Sequence, residues 1–442
     1  MSGTTYLLER ALLPDGVAAD VRVGVRDGRF TEVLTEPDEH DTPDDVVRVP
    51  GLTIPGLANC HSHAFHRALR GRTQRERGTF WTWREQMYAL AERLDPDTYH
   101  RLARAVFREM VAAGITSVGE FHYLHHARDG ARYDDPNAMG RAVIAAAREA
   151  GIRITLLDTC YLTSAIGRPP EGVQRRFSDG DSAAWRERLS LLDDSELQEG
   201  VLIGQAFHSV RAVPREALVP FGTDPTRPLH VHLSEQRLEN EQCLAAYGRT
   251  PTEVLADAGV LGERTTVVHA THLSESDIGL LGSARVFAGF CPTTERDLGD
   301  GIGPSRQLHA AGARLTLGSD SHAVIDLFEE MRAVELDERL AREQRGHWSA
   351  AELVEAATAT GHHSLGWSDA GRIAVGQRAD LVTLDHTSPR TAGTGGDEHT
   401  VVFAAVAEDV HQVMVDGRIV VRPGERAEVG RELDAAIEEV WA

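Results

Sequence analysis

The 442-residue chain contains no lysine: all 46 of its basic residues are arginine. That absence excludes a carbamylated lysine bridging two metal ions, Schiff-base catalysis and P-loop phosphate binding, all of which use the missing amine. Cysteine is nearly as scarce. Cys60, Cys160, Cys243 and Cys291 show no CxxC spacing and are expected to be reduced structural thiols. No apolar run approaches membrane-spanning length, and no basic-then-apolar signal segment is seen, so a soluble, cytoplasmic protein is expected. Positive charge is in deficit as well. Sixty-eight acidic residues give a formal net charge of −22, a field that repels nucleic acid and anionic membranes. The expected partner is a small molecule, and an anionic one would need local arginines.

What is present is patterned in two ways. Both ends read as short strands: Val21, Val23 and Val25 alternate before an Asp27-Gly28 turn, and Val413–Val415 runs through Asp416-Gly417 into Ile419–Val421. The middle alternates apolar runs with helical patterns. Its candidate strands are Thr53–Asn59, Thr116–Phe121, Arg153–Asp158, Val201–Phe207, Leu229–Leu233, Thr265–His269, Arg285–Cys291 and Arg314–Ser319. Eight strands, each followed by helical sequence, predict an α/β fold: a (β/α)8 TIM-like barrel. A small β-sandwich domain built from both chain ends accompanies it. The expected boundaries are 1–52 and 371–425 for the small domain, 53–370 for the barrel and 426–442 for a C-terminal helix.

Barrel enzymes carry their chemistry at the C-terminal ends of the strands. Here polar residues recur at those ends: His61 and His63, then Glu120, His122 and Tyr123, then His208 and Arg211, then His232 and Glu235, His269 and His272, and Asp320 with His322. With 21 histidines roughly one HxH arises by chance, so the repetition carries the argument rather than the pair alone. Strand residues i and i+2 face one side, which lets His61 and His63 grip one ion. With one strand-five histidine and Asp320 they form an N3O set that suits zinc and leaves a position for water. His232, nearer the mouth, is chosen over His230, which reads as a satisfied inner histidine. The doublets His125–His126 and His362–His363 read as solvated. Trp81 and Trp83 fit either the pocket or packing beneath a loop, Thr293–Glu295 sit after strand seven, and residues 163–181 are long enough to form a lid.

These motifs have a specific resemblance. Pro55-Gly-Leu-Ala-Asn-Cys-His61-Ser-His63, with His232, His269 and Gly318-Ser-Asp320, resembles the amidohydrolase superfamily in its mononuclear deaminase branch. Narrower matches lie in Trp81-Thr-Trp-Arg84-Glu, Glu120-Phe-His-Tyr123, His208-Ser-Val-Arg211, His232-Leu-Ser-Glu235-Gln and Cys291-Pro-Thr-Thr-Glu295. Together they look like the N-formimidoyl-L-glutamate deiminases of histidine degradation. The resemblance implies one Zn2+ per subunit on His61, His63, His232 and Asp320, and catalytic roles for Glu235, His269 and Asp320. It implies substrate contacts from His66, Arg84, Tyr123, His208 and Arg211, and a homodimer. Where the family is expected to carry glutamine, this chain has His66, a hydrogen-bond donor that can also be charged. The alternative is another deaminase of the same branch, acting on a nucleobase or related amine. A neutral ring needs no arginine, whereas a dicarboxylate needs at least one.

Overall fold

A computed structural model describes residues 3–37, 45–75, 78, 80–192, 199–219 and 227–442. The first strands are β1 (Thr4–Leu13), β2 (Gly16–Arg26), β3 (Arg29–Leu34) and β4 (Val47–Pro55). Eight parallel strands follow: β5 (Leu57–Ser62), β6 (Ile115–His122), β7 (Arg153–Cys160), β8 (Val201–Phe207), β9 (Leu229–Leu233), β10 (Thr265–His269), β11 (Phe287–Phe290) and β12 (Arg314–Leu317). β13 (Leu381–Leu384), β14 (Val410–Val415) and β15 (Arg418–Val421) come last.

Strands β5 to β12 hydrogen-bond in chain order and are buried almost throughout, as parallel strands flanked by helices require. The ring closes where Ser62 pairs with Asp320: Asp320 N–H donates to His61 O at 3.0 Å and His63 N–H to Asp320 O at 3.1 Å. Gly318 permits this approach, because a Cβ there would lie 2.8 Å from His61 Cβ. Barrel closure and convergence of the histidines with Asp320 are therefore one backbone event.

The remaining strands form a seven-stranded sheet in the order β15-β14-β13-β4-β1-β2-β3, drawn from both chain ends. Both anticipated hairpin turns form, with Asp27, Gly28, Asp416 and Gly417 all at positive φ. The expected first barrel strand, Thr53–Asn59, is in fact two elements. β4 ends at Pro55 in the small sheet and β5 begins at Leu57 in the barrel. Gly56 makes the turn against Asp380, whose Cβ would lie 2.8 Å from a side chain placed there. The helix Arg426–Trp441 buries Val429, Leu433, Ala436 and Val440. Trp441 Nε1 donates to Ala68 O at 3.0 Å, tying that helix to the segment carrying His66.

Three of the four histidines read as solvated are buried; only His363 is exposed. His125 Nε2 donates to Thr159 O at 2.9 Å, His126 Nε2 lies 3.2 Å from Asp179, and His362 Nδ1 donates to Thr358 O at 2.8 Å. The loop of His125 and His126 and the short helix of His362 are covered by neighbouring segments, and hydrogen bonds offset part of the cost of burying the rings. His230 is an inner histidine, 3.3 Å from Ser364 O.

Candidate metal centre and substrate pocket

Each side chain at the mouth of the barrel is aimed by its neighbours. His63 Nδ1 lies 3.0 Å from Phe121 O and His232 Nδ1 lies 2.9 Å from His208 O. A carbonyl only accepts, so both rings carry their proton on Nδ1 and turn a bare Nε2 inward. His61 Nε2 sits 3.0 Å from His232 Nε2 and 3.3 Å from Asp320 Oδ1, which is also 3.3 Å from His63 Nε2. Burial lowers all three imidazoles, His61 to about 3, which leaves them neutral. Asp320 is held well below the usual carboxylate range: burial opposes its charge, but the surrounding histidines outweigh it. The inward Nε2 atoms of His61, His63 and His232 and the Asp320 carboxylate converge on one point, the arrangement of donors that a metal ion bridges. The donor set thus fits a metal on its own chemistry.

Ligand atoms of His61, His232, His269 and Asp320 all lie within 4.8 Å of one another, a set that takes in His269 and leaves out His63, whose Nε2 still lies 3.3 Å from Asp320. Its surroundings differ. His269 Nδ1 faces Glu295 at 3.3 Å, while Nε2 is 3.9 Å from both Glu235 and Asp320. Burial opposes its charge, but Glu235, Glu295 and Asp320 together push it up to about 10. His269, Ala270, Asp320 and His322 all have left-handed φ, strain held at the mouth by the packing around it.

Behind β5 runs a directional chain. Asn59 Nδ2 donates to Ser319 Oγ at 2.7 Å, Ser319 pairs with His322 at 3.0 Å, and His322 Nε2 lies 3.2 Å from Ser62 Oγ. Ser62 in turn donates to Glu120, which also accepts from Ala64 N–H at 2.7 Å. Glu120 therefore braces the backbone on both sides of His63.

Beside the histidine-aspartate cluster lies a narrow pocket of about 60 Å³, whose walls include Arg84, Tyr123, His208, Arg211 and Glu235. The five residues expected to bind substrate all line it. Arg84 comes from the helix Phe80–Arg93. Arg211 follows β8, and its guanidinium stays above its ordinary value: burial opposes it, but Tyr161 and Glu239 more than compensate. His66 Nε2 pairs with Tyr123 Oη at 2.8 Å, and burial keeps its ring well below the usual range and so neutral. Trp83 lines the pocket, edge-on to His66; the side chain of Trp81 lies outside the described residues. Glu235 is raised by burial, with His269 pulling the other way. Tyr88, Tyr161 and Phe177 complete the walls. No motif marks these three, because they come from a helix and a loop with no metal-ligand spacing.

A family profile described as "Amidohydrolase family" matches residues 52–420. Formimidoylglutamate deiminase of Pseudomonas aeruginosa is 39% identical, with 97% of this chain and 97% of the relative aligned. A 5-methylthioadenosine/S-adenosylhomocysteine deaminase of Pelotomaculum thermopropionicum is 28% identical over 92% of this chain and 90% of its own. The crystal structure of an amidohydrolase from Brucella melitensis superposes with a TM-score of 0.90 at 33% identity, covering 99% of this chain and 100% of that one. An adenosine deaminase from Xanthomonas campestris, solved with bound zinc, has a TM-score of 0.85 at 22% identity over 99% and 98% of the two chains, a likeness of fold.

Proposed function

The chain belongs to the amidohydrolase family, and from that premise we propose that it hydrolyses N-formimidoyl-L-glutamate to N-formyl-L-glutamate and ammonia. One observation carries the reading: the imidazole-carboxylate centre opens into a pocket that holds two arginines. A dicarboxylate needs guanidinium partners, and arginine offers a planar bidentate fork where no lysine exists. The 39% identity to a formimidoylglutamate deiminase supports the same substrate.

His61, His63, His232 and Asp320 would hold the metal, and three neutral imidazoles with one carboxylate favour zinc. Bound zinc supplies a Lewis acid and lowers the pKa of water there to about 7. Asp320 accepts the proton of the attacking water and aims it at the formimino carbon. His269, braced by Glu295, stabilises charge developing on the tetrahedral centre. Glu235, its affinity for a proton raised by burial, pairs with the amidinium as a carboxylate, takes up the proton that Asp320 accepted and passes it to the departing nitrogen, and Asp320 then receives the hydroxyl proton of the tetrahedral centre. The C–N bond breaks, ammonia leaves and the carbonyl of the formyl product forms. Arg211 and Arg84 hold the carboxylates, while His66, Tyr123 and His208 line the path between.

Among the described residues no helix is long and apolar enough to cross a membrane. Resemblance to barrel amidohydrolases supports a cytoplasmic homodimer with one zinc per subunit. The test is ammonia release from N-formimidoyl-L-glutamate beside 5-methylthioadenosine. Turnover of the amidine alone is expected; turnover of the nucleoside alone would transfer the chain to the ring-deaminase reading.

A further inference from the structure

Gln174 lies buried in the short helical segment Gly172–Phe177, between the pocket and the outer groove that Arg84, Tyr88 and Arg168 help to line. Its side chain is fixed at both ends. Glu171 N–H donates to Gln174 Oε1 at 3.1 Å, which settles which end of the amide is oxygen. Gln174 Nε2 then donates to Tyr88 Oη at 2.8 Å and to Tyr161 Oη at 3.0 Å. Both phenols are thereby acceptors toward the amide, and their own protons must go elsewhere.

Arg84 and Arg211, which donate and never accept, line the same pocket as both phenols. Arg84 stacks on the Tyr88 ring at 5.5 Å, and Arg211 is the first opposite charge acting on Tyr161. If one phenol donated to the other, that would use one proton only. Two hydroxyls hold two protons, so at least one remains for the pocket. An anion placed among these groups would meet donors only.

Their position selects which anion. The His208 ring lies 5.0 Å from the His232 ring on the metal side and 4.9 Å from the Tyr161 ring on the other, and Tyr88 lies farther out at the groove. The pair therefore sits at the end of the pocket remote from the reacting carbon. Resting on the function proposed above, we propose that Tyr88 and Tyr161 donate to the side-chain carboxylate of the substrate, with Gln174 as the positioning residue that turns their protons inward.

Steady-state kinetics with N-formimidoyl-L-glutamate and its neutral isostere N-formimidoyl-L-glutamine tests this. Tyr88→Phe and Tyr161→Phe should each raise KM for the dicarboxylate about tenfold more than they lower kcat, as loss of a hydrogen bond to a charged group predicts. Gln174→Glu, which would draw both phenolic protons away and add a like charge, should raise KM further. With the neutral isostere the Tyr→Phe effects should shrink to less than about threefold. Equal KM changes for both substrates, or none for either, would overturn the assignment. A wild-type enzyme that releases no ammonia from the dicarboxylate would sink the proposed function and this inference together. An active wild type with unmoved tyrosine variants would sink this inference alone.

Discussion

The two ends of the barrel bury charge in opposite ways. At the end facing the small sheet, Arg153, the first residue of β7, binds Asp380 and lies 3.0 Å from Asp416, while Arg378 reaches Asp416 at 2.9 Å. Trp367 stacks within reach of both guanidinium groups. Burial opposes the charge on Asp380, but Arg153 holds it below its ordinary value. Every charge there has its partner within the chain. At the mouth, imidazole nitrogens face one another and Asp320, and burial raises carboxyls such as Glu239 even with Arg211 pulling the other way. One end spends its polar groups on stability; the other keeps them open for a ligand.

The sharpest way to separate the ends is to remove a charge from each. Asp320→Asn should lower ammonia release by about a thousandfold, within the range for loss of a proton-transfer group, and should also weaken metal retention. Its melting temperature without metal should fall only modestly: the surrounding histidines stabilise the lost charge, but the asparagine keeps the backbone pairing with His61 and His63. Arg153→Met should do the reverse. It leaves the buried Asp380 without its cation, while Asp416 keeps Arg378, and should cost about 3–5 kcal/mol by denaturant titration, while the folded fraction keeps its KM.

Smaller changes sharpen the contrast within the mouth. Glu235→Gln should keep its metal, measured by elemental analysis, and lose about a hundredfold in kcat. Unchanged turnover would remove Glu235 from the acid role. Glu239 tests the raised carboxyls. Burial pushes it up to about 7 from an ordinary 4.5, so the folded protein keeps a proton that the unfolded chain releases. Its cost to stability therefore grows between pH 4.5 and 7 and is constant above that. Glu239→Gln should gain at most about 3 kcal/mol over wild type at pH 8 and nothing at pH 4.

This contrast was only half legible in the sequence. The mouth announced itself, since HxH and single acids at successive strand ends are spacings that chemistry needs and packing does not. The eight-strand order was readable for the same reason of periodicity. The β4–β5 boundary was hidden because Leu52 to Cys60 is one apolar run, and only the steric demand at Gly56 divides it. His125, His126 and His362 were misread because burial of a polar loop depends on what folds over it. Gln174, Tyr88 and Tyr161 meet from a helix and two loops, and nothing in their spacing foretells the contact. The ion cluster around Arg153 joins residues 227 and 263 positions apart, which local pattern does not encode.

The central claim is that the mouth of the barrel is built around one cation. Elemental analysis of the purified chain, before and after chelation and readdition of zinc, tests it most directly. About one zinc per chain, lost together with ammonia release and restored with it, is the predicted result. A chain that carries no transition metal yet keeps its full activity through chelation would contradict the account.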